Sequence, residues 1–520
     1  MHLPTTNSGT KGHLNISNVG PRFGATKVAP VIIRAALILA VICALVLIAA
    51  RPAQAQTETV LYNFTGGSDG GWPEGGLTFD GAGNLYGTTY FGGASNAGAV
   101  FELSPNGNGG WNETVLHSFC SEPNCADGSE PYGSNVIFDS LGNLYGTAEH
   151  GGANGYGVVF ELSPVGTSWT ETVLYSFAND GDGAYPVSGL IFDPAGNLYG
   201  VTWTGSLSSV VFELSPSVGG WTEKAITSGY SGSDDGLTMD AAGNIFEVEW
   251  DWQVVQLSPN GNGGWNETVV YPLQGSAAAL VLDQAGNLYG TMWGYGNNHG
   301  KVFKLNPGEN GEWTESILHS FNGKLGANPD AGIAFDAAGD IYGTTANGGK
   351  YGDGIVFELV APDYKEKVLW NFNGADGEWP LSGSLILDSA GNLYGITLLG
   401  GSSGTGCALG QGCGVVFEVT PPTVKTITTL TSSPNPSTYG QAVTFTAAVN
   451  PAPPDGETVT FKHGNRWVLG TGALSGGYAS FTTTTLKVGT TGVEAVYGGD
   501  SKFGGSRSKP VKQVVEEAEQ

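Results

Sequence analysis

The stretch "DGAGNLYG" beginning at Asp80 constrains the fold more than any other feature, because it returns. Counted with the apolar residue before the Asp, seven copies start at Phe79, Phe138, Phe192, Met239, Leu282, Phe335 and Leu387. Intervals of this order, a few tens of residues, mark a tandem-repeat architecture. Each unit holds four strand-like pieces, which in the first are 76–80, 85–89, 99–103 and 113–119. Apolar and polar residues roughly alternate within them, and Gly, Asn, Ser or Pro separates them. The third piece is the most regular: "VFEL" at Val100, Val159, Val211 and Val356, with "VVQL" at Val254, "VFKL" at Val302 and "VFEV" at Val416. After the last one no fourth piece follows, only Pro421-Pro422, and the missing piece stands at the other end as "TETVLYNF" from Thr57. A first strand that completes the last unit pairs two free edges and closes a ring. The predicted fold is all-β: a seven-bladed β-propeller closed by an N-terminal strand, followed by a second β domain.

Within the repeat, Asp80 ends one strand, 81–84 turn, and Leu85 begins the next. Asp caps backbone N–H groups in such a turn, and Gly and Asn accept positive φ. A calcium loop needs several oxygens at close spacing, whereas each copy offers one carboxylate and one amide, so the motif is read as a structural turn. Trp111, Trp169, Trp221, Trp265 and Trp313 recur at one position and are expected to cover blade edges. Asp-Gly elements at Asp69, Asp127, Asp182 and Asp376 are read as turn caps, with weak Ca2+ binding as the rival; no metal site and no other cofactor is expected.

Residues 1–55 lack Asp and Glu, and Lys11, Arg22, Lys27 and Arg34 precede the apolar run "AALILAVICALVLIAA". With "AQA" ending at Ala55 this has the form of a secretory signal; an uncleaved anchor is the alternative, although the run is short for a span. No later segment is expected to span a membrane, so the mature protein is placed outside the cell or on its surface. Of the five cysteines, Cys43 falls in the leader. Cys120 with Cys125, and Cys407 with Cys413, are spaced to close small disulfide loops, with a four-thiolate zinc site as the alternative. A net charge of −27 excludes a nucleic-acid backbone as partner.

Beyond Pro422 the composition shifts to Thr, Val, Ala and Ser. Strands are expected at 427–433, 442–449, 458–462, 479–484, 492–497 and 511–515, as in a small β-sandwich of immunoglobulin type. The expected domains are thus signal 1–55, propeller 56–420, sandwich 424–515 and acidic tail 516–520.

The repeat, "LTFDGAGNLYGTT" through "GAVFELSP", resembles the GloVer tandem repeats of exported bacterial proteins over about residues 58–420. The segment "ITTLTSSPNPSTYGQAVTFTAAVNP" through "AVYGGDSKFGGS" looks like a bacterial Ig-like repeat domain. The resemblance implies export and fold and brings no catalytic residues with it.

Function is sought where the repeat breaks down. The fourth unit has "NIFE" for "NLYG", then "VEWDW" from Val248. Trp250 and Trp252, with Trp203, Trp293 and Tyr295 of neighbouring units, are expected on one loop rim as a ligand-binding set. Aromatic faces there stack on sugar rings, and carboxylates take hydroxyls. The alternative is that a degenerate unit packs bulky residues where glycine loops were lost. Glu249 and Asp251 are weak catalytic candidates, about 6–7 Å apart if extended, a separation that glycosidases use. The favoured reading is a secreted or surface scaffold that binds glycans or envelope components and leans away from catalysis. A polysaccharide-acting hydrolase or lyase, and a purely structural repeat protein, are the alternatives.

Overall fold

The computed structural model describes residues 57–518, apart from 205–208, 228–235, 250–251, 279, 297, 309–310, 403–406, 408–410, 423, 465–466 and 501. The expected signal segment, Trp250 and Asp251 therefore lie outside the described residues.

Seven antiparallel sheets follow one another along the described chain. The first consists of Thr78–Phe79, Leu85–Thr89, Ala99–Pro105 and Trp111–Ser118. The pattern repeats, and the third sheet adds Ala184–Pro186, which pairs with Leu198–Thr204 on the same edge as Ile191–Phe192. The seventh sheet takes its outer strand from the start of the described chain: Thr57–Asn63 pairs with Val415–Thr420, Thr57 opposite Thr420. One cluster joins Leu85 and Phe101 of the first sheet to Tyr394 and Val416 of the seventh.

The turn motif forms as its residues require. Asp80 accepts hydrogen bonds from the backbone N–H of Ala82 (2.8 Å) and Asn84 (2.9 Å), from Asn84 Nδ2 (2.8 Å) and from Tyr86 Oη (3.2 Å). Burial works to raise its pKa, but these donors outweigh it and hold the carboxyl below its ordinary range. The tyrosine has a second task that periodicity does not reveal. Its ring meets the next sheet edge-on, Tyr86 against Phe138 and Tyr145 against Phe192, at 5.0 and 5.2 Å. The recurring tryptophans reach back to the same rings. Trp169 packs on Tyr86, Trp221 on Tyr145, Trp265 on Tyr199, and Trp111 on Tyr394 of the seventh sheet. They bridge neighbouring sheets through edge-to-face aromatic contacts, a role added to the edge covering expected of them.

The motif glycine is required by a phenylalanine. A Cβ on Gly87 would stand 2.7 Å from Phe101 Cζ, and the five equivalent glycines meet the same ring at 2.5–2.8 Å. In the fourth unit both partners change together: Glu247 replaces the glycine, and the residue opposite it is Val255. Glu247 is buried, and opposite it the smaller Val255 removes the ring that a Cβ at this position meets in the other units. Val255→Phe alone should overpack this site and destabilise by about 1–3 kcal/mol. Adding Glu247→Gly should recover the loss in urea unfolding, whereas a double variant no more stable than Val255→Phe would disprove the exchange.

The C-terminal residues form two sheets. Ile427–Ser433, Val443–Asn450 and Tyr478–Thr483 make one. The other centres on Thr458–His463 and Gly489–Gly499, flanked by Trp467–Ala473, Phe503–Arg507 and Val511–Glu516. Val443, Phe445, Ala447 and Val449 point into the shared core, as their alternation predicts. The strands 467–473 and 503–507 escape the sequence reading because they are glycine-containing and mostly exposed or half-buried, with no apolar alternation.

One contact ties these sheets to the sixth repeat. Six copies of the turn motif carry Asn before the second strand, and the sixth carries Asp340. Asp340 is buried and pairs with Lys502 Nζ, which also lies 3.9 Å from Glu358.

Candidate functional site

Each repeat approaches its inner strand through a crossing segment, and five of these share one backbone device. Trp72, Glu130, Tyr185, Asn328 and Trp379 each precede a proline and each has φ between 54° and 60°. A bulky residue at positive φ is a strained position that the surrounding structure must hold. The hold is visible in the backbone: Trp72 N–H donates to Cys413 O, Glu130 N–H to Ala97 O, and Trp379 N–H to Asp353 O. Two residues further on, Glu74, Tyr132, Asp330 and Leu381 face a common cavity of about 640 Å³.

That cavity is lined by residues from all seven repeats. Its polar side chains include Glu74, Asn135, Glu249 and Asp330, and its aromatic ones are Tyr132, Trp252, Trp293 and Tyr295. Trp252 and Tyr295, both lining residues, are exposed at 45% and 62%. Trp252 has φ 68°, and its N–H donates to Glu249 O. Of the ligand set expected from sequence, Trp252, Trp293 and Tyr295 therefore come together with Glu249. Trp203, half exposed, lies outside the lining, and Trp250 and Asp251 are not among the described residues.

Beside the cavity, the first and second repeats assemble a cluster that the sequence reading passed over. His150 Nδ1 lies 3.5 Å from Glu130 Oε2 and 3.7 Å from Glu149 Oε2. A shared neighbour holds the two carboxylate oxygens no farther apart than the sum of those distances. Tyr90 Oη donates to Glu130 Oε2 at 3.0 Å, and its ring is 5.8 Å from that of Tyr132, a cavity residue. Tyr90 is held above the ordinary phenol range, first by burial and then by the charges of Glu130, Glu149 and Glu74. The cluster is thus joined to the cavity wall through Tyr132, while Tyr90, Glu130, Glu149 and His150 are not themselves among the described lining residues. On its other flank Tyr185 packs against the His150 ring at 5.1 Å.

The backbone fixes these groups. Glu149 N–H donates to Glu130 O, while Ser129 and His150 exchange both backbone hydrogen bonds. The Cys120–Cys125 disulfide closes the loop just upstream, and Cys125 O accepts from Gly128 and Gly152 N–H, one on each side of the cluster. The second expected disulfide, Cys407–Cys413, is also formed, and Cys413 O accepts from Trp72. Replacing both Cys120 and Cys125 by Ser should therefore loosen the Glu130 and Glu149 segments, read as faster amide exchange at Gly128 and Gly152 than elsewhere in the second sheet.

A signal for the cluster was present in the sequence. Counted along the repeat, Glu149 stands where other units carry Tyr90, Trp203, Trp250 and Trp293, so the favoured rim position holds a carboxylate in the second unit. Glu130 is the one acidic member of the residues that precede the crossing prolines.

The remaining titratable candidates are structural. Asp69, Asp127, Asp182 and Asp376 accept backbone N–H groups within their own turns. His117 and His319 occupy equivalent strand positions and pair with Asp127 (3.3 Å) and Glu366 (3.1 Å). Among the described residues no group of three or more His, Cys, Asp or Glu is disposed to hold a metal ion. No described helix is long and apolar enough to cross a membrane.

These features define an all-β tandem-repeat protein with a cavity shared by its repeats. The chain belongs to the Gloeobacter/Verrucomicrobia repeat family, which it matches over residues 47–248 and 274–478. The match lapses where the fourth unit departs from the pattern. No curated protein matches the sequence. Similar solved structures include the extracellular domain of a protein described as a one-component system from B. thetaiotaomicron. It shares 13% identity at a TM-score of 0.46, covering 90% of this chain and 60% of that one. A thermostable family-43 glycoside hydrolase shares 13% identity at a TM-score of 0.30, covering 58% of this chain and 93% of that one. A β-xylosidase shares 12% identity at a TM-score of 0.29, covering 67% and 99%. Enzymes thus stand among the similar structures, and the expectation that leaned away from catalysis is corrected accordingly.

Proposed function

We propose that this chain is an exported, polysaccharide-acting hydrolase. Its seven sheets are the blades of a closed β-propeller spanning 56–420, and an immunoglobulin-like sandwich spanning 424–515 follows. The Thr57–Asn63 strand in the seventh sheet and the Trp111–Tyr394 contact support closure. The basic and apolar leader, read as a signal, supports export.

The observation that carries the function is His150 within 4 Å of both Glu130 and Glu149, a cluster joined to the aromatic-lined cavity through Tyr90 and the cavity residue Tyr132. Glycoside hydrolysis needs two carboxyl groups roughly 5–10 Å apart across the scissile bond. Glu149, the more buried of the two, protonates the glycosidic oxygen as the bond to the anomeric carbon breaks. Glu130, at 34% side-chain exposure, is open to solvent and takes the proton of the water that attacks that carbon. His150 keeps both carboxyl groups in place. The rings of Trp252, Trp293 and Tyr295 offer stacking faces for the adjoining sugars.

The test is release of reducing ends from a panel of soluble polysaccharides. Wild type should release them, and Glu130→Gln and Glu149→Gln should each lower kcat by about 10²- to 10⁴-fold with an unchanged circular dichroism spectrum. Full activity in both variants would remove these residues from the mechanism, and no release from any substrate would remove the function.

A further inference from the structure

The lining of the shared cavity also specifies a charge for its ligand. Glu74, Glu249 and Asp330 come from the crossing or loop segments of three different repeats, and no Lys, Arg or His is among the described lining residues. Trp252, Trp293, Tyr295 and Tyr132 supply the rings between them. Carboxylates spaced around an aromatic-walled recess focus a negative potential inside it, and the net charge of −27 strengthens that field. An anionic sugar would meet repulsion from these three carboxylates and find no cationic side chain in the described lining. A protonated amine on a sugar ring gains both charge attraction and contact with aromatic faces.

We propose that the cavity selects saccharides carrying free, protonated amines over neutral and acidic ones. This inference rests on the reading of the protein as a polysaccharide-acting hydrolase and names the substrate class of that site. The amine contacts Glu249 and Asp330 while the ring stacks on Trp252 or Trp293, and the bond to be cleaved extends toward Glu130 and Glu149. The reaction is unchanged by this choice: one water adds across one glycosidic bond, and no oxidant or cofactor takes part.

The experiment is titration calorimetry at pH 5.5 and low salt with three hexasaccharides, using the full chain with Glu149→Gln to prevent turnover. They are a β-1,4-linked glucosamine hexamer, its fully N-acetylated counterpart, and a hexamer of galacturonate. The glucosamine hexamer should bind about tenfold tighter or more than the N-acetylated one, and the galacturonate should not bind. Glu249→Gln and Asp330→Asn, each added to Glu149→Gln, should erase that preference while leaving the residual affinity for the N-acetylated hexamer. Equal or tighter binding of the N-acetylated or acidic hexamer would overturn the charge preference. It would leave the hydrolase reading standing if wild type still releases reducing ends from that polymer. A preference that survives both carboxylate substitutions would also overturn it. Absence of binding to all three, together with absence of hydrolysis on any polymer, would overturn both.

Discussion

Raising the pH from 5 to 8.5 should lower the melting temperature by on the order of 5 °C. The cause lies at the seams between sheets, where a glutamate of one outer strand faces the aspartate turn of the preceding repeat. Glu58 is raised to about 8 against an ordinary 4.5, first by burial and then by Asp376. Glu113 is raised to about 7 by burial and Asp69. Glu171 is raised to about 7 by burial, Asp127 and Glu122, and Glu223 likewise by burial, Asp182 and Asp180. Tyr62, His117, Tyr175 and Trp370 face the same aspartates from within the preceding repeat.

A carboxyl whose folded pKa is raised binds its proton more tightly in the native state than in the unfolded chain. Its contribution is therefore complete below about pH 4.5 and is lost as the pH rises through 7 and 8. These groups are partly solvated, so screening reduces each effect well below its nominal value. Below the ordinary carboxylate range the opposite holds. Asp80, Asp139 and Asp283, which hydrogen bonds keep ionised against their burial, then take up protons and the turns weaken. Thermal unfolding at fixed high ionic strength, which suppresses general charge repulsion, isolates the seams. Replacing Glu58, Glu113, Glu171 and Glu223 by Gln should flatten the decline between pH 5 and 8.5. A melting temperature that is constant across that range, or one that falls equally in the quadruple variant, would contradict the assignment.

Lys502→Met should destabilise the protein by roughly 3 kcal/mol. Asp340 is 1% exposed, and its Oδ1 accepts from Ala361 N–H at 2.7 Å while its other oxygen meets Lys502. Glu358, also buried, pairs with Lys367 at 2.7 Å on the far side. Removing the lysine leaves a carboxylate in the interior without its cation, which costs far more than an exposed ion pair contributes. Asp340→Asn restores the residue that the other six turns carry and removes the charge. The double variant Asp340→Asn with Lys502→Met should regain most of the lost stability in guanidinium unfolding. If the double variant were as unstable as Lys502→Met alone, the buried charge would not be the cause.

Much of this fold was legible in the sequence because its demands are local and repeated. The Asp80 turn, the four strands of each unit and the transfer of Thr57–Asn63 to the seventh sheet all follow from residues that recur in order. What was not legible depends on contacts between units. Tyr86 reads as a core residue of its own strand, yet its ring belongs as much to the next sheet. Asp340 looks like drift from Asn until Lys502, far along the chain, is placed beside it. The site was half visible for the same reason. Breakdown of the fourth repeat drew attention to Glu249 and Trp252, which do reach the cavity. Glu130 and Glu149 sit in a well-formed repeat on separate segments, and only the pairing of their backbones brings them to one histidine.

The most direct test of the central claim is a crystal structure of the Glu149→Gln protein with a bound oligosaccharide. A sugar chain should be stacked on Trp252 or Trp293 in the shared cavity. One glycosidic oxygen should lie within hydrogen-bonding distance of the substituted side chain at position 149, with Glu130 facing the anomeric carbon. An oligosaccharide seated elsewhere on the protein, with no sugar atom in contact with Glu130, His150 or position 149, would disprove it.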